Sequence, residues 1–553
     1  MNFNKDNIGI GNHKYLNYKD LIIFLIPTII FLFYLYIYNP GILGFDTFNQ
    51  FHQIATSNYS NWHPFFHTFI EMFCLKVYGN PISICVFQIL IFSLMWMAVC
   101  KYNRNDYVNK DKKFLLQVIF TLFISLIPIN PIFSITLFKD ILFSYFLMFL
   151  CFLIKIIIDK EGFVSFKFVI LLSIVLACVS QLRLNGLPIV ILLLIILCWY
   201  FYRNNDVDRV YVVLPALTII FILLIASLNV VYDVEDNQKD AVFTKVSHML
   251  ADYELNLELE DIEKDKIHEL MDENEIFENY NPTFSDPIYQ VADYNVYKND
   301  KDALIDIAIS NSFKNPLHFI KYLFGSAPFV WDITRDSTWI GNIITTNTEY
   351  GRMSFYDISG NIPAANYENI TSKNINASEY VNINSFVDFT MDNDIISTLL
   401  YSPALYMYLS IILLVFLQMM TKSRDVYLMY VPNLLNIIII FLSTPVQDNR
   451  YLYANLLIFY LLVIIIIGEY DFKNKKIFSS LTLNSRDNDN KSNQNYDEFS
   501  NNPYSNNLNR DLVSHTPEIK ETPDEMEARI RAKILKELES GDSTEFSEDF
   551  KKR

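Results

Sequence analysis

The chain is predicted to be an α-helical polytopic membrane protein with about ten transmembrane helices, and three observations predict it. Hydrophobic residues make up 52% of its 553 residues, which in an evenly mixed chain would suit several soluble domains. They are instead gathered into long runs nearly free of charge, each close to the roughly 20 residues needed to cross about 30 Å of hydrocarbon. Lysine and arginine then fall on alternate connections between the runs, the bias that marks cytoplasmic loops.

The runs cover 21–38, 82–100, 114–133, 138–158, 166–182, 187–202, 211–232, 397–420, 426–443 and 450–468. The first is a retained anchor rather than a cleaved signal, because Tyr34, Tyr36 and Tyr38 are bulky where small residues precede a cleavage site. Lys5, Lys14 and Lys19 precede it. Lys101, Arg104, Lys110, Lys112 and Lys113 follow the second run, and Lys155, Lys160 and Lys167 lie around the end of the fourth. Arg203 and Arg209, Lys422 and Arg424, and Lys473, Lys475 and Lys476 complete the series. With ten crossings and a cytoplasmic N-terminus at 1–20, every one of these groups lands inside.

That orientation divides the chain. A membrane core occupies 21–232 and contains a first outer loop at 39–81. An extracytoplasmic region of mixed structure follows at 233–396, where Trp331, Trp339 and many tyrosines can bury a modest core. Within it, the amphipathic stretch 301–323 carries Leu304, Ile307, Ala308, Phe313, Phe319, Ile320 and Leu323, and is expected to break at Pro316. It fits a helix on the membrane surface and a helix in the domain's own core equally well. C-terminal spans occupy 397–468. The tail, 469–553, is Asn-, Ser- and Asp-rich and poor in apolar residues, and is expected to be disordered and cytoplasmic apart from one helix at 523–540. There Thr522, Pro523 and Glu525 supply a start signal, and Met526, Ile530, Ile534 and Leu538 form a narrow stripe suited to a cytoplasmic partner. Much of the net charge of −17 sits in the tail and the outer region, so acidity says little about substrate, and no nucleic-acid partner is expected. The six cysteines lie in or beside apolar runs with no disulfide or CxxC pattern, and are read as packing residues.

Polar residues otherwise excluded from the spans gather on the outer side: Asp46, His63 and His67; Lys139 and Asp140; Arg183 and Asn185; Asp448, Arg450 and Tyr451. Ionisable groups are costly to hold at a hydrocarbon boundary, so a one-sided set at several helix ends reads as a site. Pro64 suits the first turn of an interfacial helix over 64–78, which places His63 and His67 one turn apart. Asp46 is the candidate base, with His63 as its neighbour, and Arg183, Arg450 and Lys139 are candidates to hold a phosphate. Structural readings stand beside these: Asp46 or Asp140 capping a helix, and Asp140–Arg183 or Asp448–Arg450 ion pairs. A zinc site at His52, His63 and His67 is disfavoured, because the His-x-x-x-His pair lacks the glutamate of a zinc hydrolase.

The motifs GFDTFNQ at 44–50, NWHPFFHT at 61–68, LFKD at 137–140, RLNG at 183–186 and DNRY at 448–451, with an early acid after the first span, an interfacial helix and a large outer domain, resemble the GT-C superfamily of membrane glycosyltransferases. Protein O-mannosyltransferases and aminoarabinose transferases belong to that superfamily, and the motifs look closest to an uncharacterised prokaryotic family of the kind. The resemblance covers 20–468. It implies transfer of a sugar from a polyprenyl-phosphate carrier to an extracytoplasmic acceptor, which is a glycan, lipid or protein, with Asp46 as base or acceptor-orienting acid. Thr47 and Phe48 stand where an Asp-x-Asp or Asp-Glu pair would, which favours a metal-independent reaction without cofactor, and a base attacking opposite the leaving phosphate would invert the anomeric carbon. The rival from another class is a transporter or flippase for a lipid-linked or anionic solute, which calls for mid-membrane polar residues and internal repeats that this chain does not display. A receptor-like scaffold, binding outside and signalling through the tail, is the third reading.

Overall fold

The computed structural model describes residues 17–104, 110–204, 210–236, 240–334, 377–471 and 476–477. The tail helix at 523–540, Trp339 and the expected disorder of the tail lie outside these residues. Apart from isolated bridges and a two-residue pairing of Tyr470–Asp471 with Lys476–Ile477, the described architecture is helical. It is that of a polytopic membrane protein, in which eight helices are long and apolar enough to cross a bilayer.

The first six helices are α1 (Tyr18–Ile37), α2 (Phe45–Thr56), α3 (Phe65–Val77), α4 (Ile82–Arg104), α5 (Lys110–Leu126) and α6 (Ile129–Ser134). Then come α7 (Lys139–Asp159), α8 (Phe166–Leu182), α9 (Gly186–Arg203) and α10 (Val210–Val231). Two of the ten expected spans fall short of the other eight. The 20-residue run 114–133 is divided, since α5 stops at Leu126 and Pro128 opens α6. Proline has no N–H to continue the ladder, and the Asn130 amide donates to the freed Ile124 carbonyl at 2.6 Å. The helix α8 is largely apolar but only 17 residues long.

Ion pairs fix which helix ends lie together. At one end Asp20 meets Arg104 and, at 3.3 Å, Lys101; Lys19 meets Asp111; Lys155 meets Asp159 and, at 3.0 Å, Glu469; Arg203 meets Asp425 at 3.0 Å. The lysine-rich connections therefore share one end of the bundle. At the opposite end, Ile42 and Leu137 exchange backbone hydrogen bonds with each other's loop, through Ile42 N to the Ile135 carbonyl (2.9 Å) and Leu137 N to the Ile42 carbonyl (3.1 Å). The interior of the bundle is held by polar glue as well as apolar packing: Tyr453 donates to Asn130 (2.9 Å), Asn433 to Asn455 (2.9 Å) and Trp96 to Thr121 (2.9 Å).

The large connection forms α11 (Asp240–Asn256), α12 (Asp261–Leu270), α13 (Glu273–Asn279), α14 (Asp286–Val291), α15 (Tyr294–Lys314), α16 (Pro316–Ser326) and α17 (Pro328–Trp331). A domain of mixed structure was expected, and its described part is helical. Phe243, Val246, Leu250 and Tyr253 recur at helical spacing and pack on Ile267, Ile288, Leu304 and Ala308 in a core of their own. The stretch 301–323 breaks at Pro316, with buried and exposed apolar residues on both sides of the break. Leu304 and Ala308 are in the domain core, whereas Phe313 and Leu317 are 82% and 76% exposed. Phe324 at the end of that exposed face packs on Phe441, with ring centroids 5.1 Å apart.

The chain resumes in α18 (Ala377–Asp392) and α19 (Asp394–Tyr401), then α20 (Pro403–Thr421), α21 (Val431–Ser443) and α22 (Tyr453–Glu469). The expected span from 397 begins at Pro403, because Ser402 caps Leu405 N and the proline takes the first helical position.

Candidate functional site

The bridge between Ile42 and Thr136 sets the site's geometry. It lays the loop after α1 along the loop before α7, and Thr47 adds a 2.6 Å hydrogen bond to the Leu137 carbonyl. Gln88 ties down the same loop through the Ser134 and Thr136 carbonyls. Asp46, in the first turn of α2, is thereby brought against Lys139, the first residue of α7. Gly44 allows the close contact, since a Cβ there would stand 2.5 Å from the Phe138 ring and the ring would have to shift. That ring in turn lies under the Arg450 guanidinium at 4.3 Å.

Arg450 arrives from a strap. Gln447 donates to the Thr283 and Ser326 carbonyls and accepts from Phe329 N, and Ser285 N donates to the Pro445 carbonyl. Asn449 donates to the Tyr401 carbonyl at 2.9 Å, and Asp448 caps the 3-10 turn by accepting from Arg450 N. Arg183 follows a similarly close turn: a Cβ on Gly186 would meet the Val179 carbonyl oxygen at 1.9 Å, so RLNG needs its glycine.

The side chains converge. Asp46 Oδ2 accepts from Lys139 Nζ at 2.9 Å and from Arg450 Nη1 at 3.1 Å. His63 Nδ1 is 3.0 Å from Lys139 Nζ, and its Nε2 is 3.9 Å from Asp46 Oδ1. Arg450 Nε lies 3.1 Å from Asp448 Oδ2 and 3.8 Å from Asp140 Oδ2, and Arg183 Nε lies 3.0 Å from Asp140 Oδ1. Both ion pairs anticipated as structural alternatives are present. Helix capping is not the role of Asp46 or Asp140, since neither helix has a side-chain cap. Tyr451 accepts from Arg450 Nη2 at 3.3 Å, offers its carbonyl to Arg183 Nη1, and presents its ring to both guanidiniums at 5.1 and 4.9 Å.

Two of the expected residues stand apart. Asn185 begins α9 and contributes no hydrogen bond or ion pair to the cluster among the described residues. His67 is fully buried in a second layer, with Nδ1 against Gln50 (3.0 Å) and 3.7 Å from Glu71 Oε1. Gln50 also donates to Thr68 at 2.9 Å. Glu71, Gln50 and Phe138 were not expected at the site. Glu71 follows His67 by four residues on α3, and Gln50 follows Asp46 by four on α2, so helical spacing carried the signal.

Burial alone would raise the Asp46 carboxyl, but Lys139, Arg450 and His63 outweigh it and hold the group well below the usual carboxylate range. Burial, reinforced by the Lys139 charge, pushes His63 and His67 down to about 3, so both imidazoles are neutral. Glu71, enclosed with neither oxygen hydrogen-bonded, is pushed well above its ordinary value by burial, which favours its neutral form. Three carboxylates, Asp46, Asp140 and Asp448, thus face three cations, Lys139, Arg183 and Arg450. The balance is not fully aligned: neither Asp140 oxygen nor Arg450 Nε makes a directional hydrogen bond despite the ion-pair distances, so those contacts are Coulombic.

Among the described residues no group of three or more His, Cys, Asp and Glu side chains could hold a metal ion. Such a cluster can accept a proton, bind an anion through guanidinium and ammonium donors, or both. No family model, curated protein or solved structure matches the chain, so the likeness to membrane glycosyltransferases rests on the motifs alone.

Proposed function

We propose that the chain is a membrane glycosyltransferase of GT-C type, moving a sugar from a polyprenyl-phosphate donor to an extracytoplasmic acceptor with inversion at the anomeric carbon and without a metal. The observation that carries this reading is the meeting of Asp46, Lys139 and Arg450 on one carboxylate oxygen, from three distant segments, at the ends of membrane helices. A lipid headgroup lies at that depth, and guanidinium forks suit its phosphate.

In the reaction the acceptor hydroxyl gives its proton to an Asp46 oxygen while its own oxygen forms the new bond to the anomeric carbon. The bond from that carbon to the phosphate oxygen breaks, and its electron pair leaves with the phosphate. Arg450, Lys139 and Arg183 compensate the charge that develops there. His63, neutral and 3.0 Å from Lys139 Nζ, holds the ammonium in position. Asp140 and Asp448 orient the two arginines, and Tyr451 stacks against both.

The test uses protein in nanodiscs with radiolabelled polyprenyl-phosphate sugars. Wild type should bind and turn over a donor; Asp46→Asn should bind with turnover reduced about 10²- to 10⁴-fold, the usual contribution of a positioned base. Arg450→Ala should lose donor binding. Unchanged transfer in Asp46→Asn would sink the base assignment, and failure to bind any such donor would favour a transporter of a lipid-linked or anionic solute.

A further inference from the structure

Asp46 is already occupied in the resting protein. Both cations nearest to it share its Oδ2, and among the described residues Oδ1 has His63 at 3.9 Å. Other groups facing it are Asp140 on α7, Asp448 on the strap, Asp286 on α14, and the His67 and Glu71 layer on α3, whose charges all act on the same cluster. With the imidazoles neutral and burial favouring the neutral form of Glu71, four carboxyl groups, Asp46, Asp140, Asp448 and Asp286, face three cations. An arriving anion therefore finds no surplus positive charge and must take cations away from carboxylates that hold them.

The contacts say which cations can be taken. Arg183 lies between the Phe143 and Tyr451 rings at 5.5 and 4.9 Å and donates to the Tyr451 carbonyl, and its partner Asp140 is fully buried. Lys139 and Arg450, with side chains 15% and 14% exposed, are the ones that reach solvent beside Asp46, itself 20% exposed. Arg450 also has an Nε without an aligned hydrogen bond, a donor ready for an oxygen placed along its axis.

We propose that a lipid phosphodiester binds by exchange, drawing Lys139 and Arg450 from Asp46 to its own oxygens, so that Asp46 becomes a proton acceptor only while the anion is bound. This rests on the lipid-phosphate reading above and adds an order of events to it: the donor arms the base. An empty site keeps Asp46 ionised and neutralised. Once the anion has taken its partners, Asp46 loses two cationic contacts and gains an anionic neighbour, and both changes raise its affinity for a proton.

Anion binding should then be linked to proton uptake. Because the bound state holds the proton more tightly, affinity must rise as pH falls through the bound-state value, by at most about tenfold per pH unit for one proton. The probe is citronellyl methyl phosphate, a phosphodiester that keeps one charge across the range and so adds no titration of its own. Calorimetric titration of the full chain in nanodiscs, in two buffers of unlike ionisation enthalpy at each pH from neutral downward, reads the protons directly. Wild type should take up protons on binding. Asp46→Asn should bind with no uptake and a flat pH profile, and Lys139→Gln, which frees Asp46 in advance, should bind more weakly with less uptake. Wild-type binding without proton uptake at any pH overturns the exchange and leaves the lipid-phosphate reading standing. Uptake that persists in Asp46→Asn overturns the assignment to Asp46. No binding at all overturns both. The wild-type measurement decides the first and last of these even if a variant does not fold.

Discussion

Replacing Asp140 by asparagine should be among the most damaging single changes at the Asp46 end of the bundle. Its carboxylate is fully buried and lies 3.0 Å from Arg183 Nε and 3.8 Å from Arg450 Nε, with the Arg183 side chain 9% exposed. Solvent screens such a pair little, and removing one partner strands the other charge, at about 3–5 kcal/mol. Arg183→Gln should fall in the same range, since it leaves Asp140 with only the longer Arg450 contact. In the double variant both charges are gone, and the loss should be smaller than the sum by up to about 3 kcal/mol, the range of coupling for groups in direct contact. Apparent unfolding free energies from denaturant titration in mixed micelles for the four proteins complete the cycle. A loss below about 1 kcal/mol in Asp140→Asn, or additivity in the double variant, would refute the view that this pair supports the arginine layer.

Glu71→Gln should gain stability over wild type as pH rises above the ordinary glutamate range. A raised carboxyl contributes stability at low pH that is lost on the way up, and glutamine has no proton to lose; melting curves of the two proteins across pH check the sign. Gly186→Ala should destabilise by at least about 1–3 kcal/mol through the Val179 carbonyl, whereas Gly79→Ala, with nothing within 4 Å, should be near neutral in the same melting assay. For sidedness, Ser57→Cys at the end of α2 should react with a membrane-impermeant maleimide in intact cells, and Lys422→Cys at the lysine-rich end only after permeabilisation. The native cysteines are buried except for the half-buried Cys198, which keeps the background low, and the reverse pattern would invert the proposed topology.

The spans were legible because charge-free runs of bilayer length have few other uses, and Pro316 broke the amphipathic stretch where proline chemistry requires. The list of polar residues at one end was legible for the same reason, since each is anomalous in its own run. Which carboxylate holds which cation was not. That depends on the Ile42–Thr136 bridge and on the strap through Gln447, contacts between segments far apart in sequence whose backbone partners leave no pattern in the residues themselves. Glu71 was passed over because a lone acid on a short helix usually faces water; here α3 turns it inward toward His67. The third span was read as continuous because apolar periodicity runs on through Pro128, and only the missing N–H marks the break.

Both ends of the bundle bury ion pairs, so ion pairing by itself does not distinguish a site from a staple. At the lysine-rich end Arg104, Asp20, Lys155, Asp159, Glu469 and Lys113 have no buried polar atom left without a hydrogen bond among the described residues. Lys113 even finds the Gly468 carbonyl at the end of α22. At the Asp46 end, Asp140, Glu71, His67 and Arg450 all retain such atoms. An unaligned buried polar group costs about 1–3 kcal/mol, more when charged. Four neighbouring residues of this kind impose a burden that the ion pairs at the other end do not carry. Between these two ion-pair networks, incomplete satisfaction rather than charge is therefore the difference, and donors and acceptors left unaligned at rest suit an exchanging anion and a moving proton.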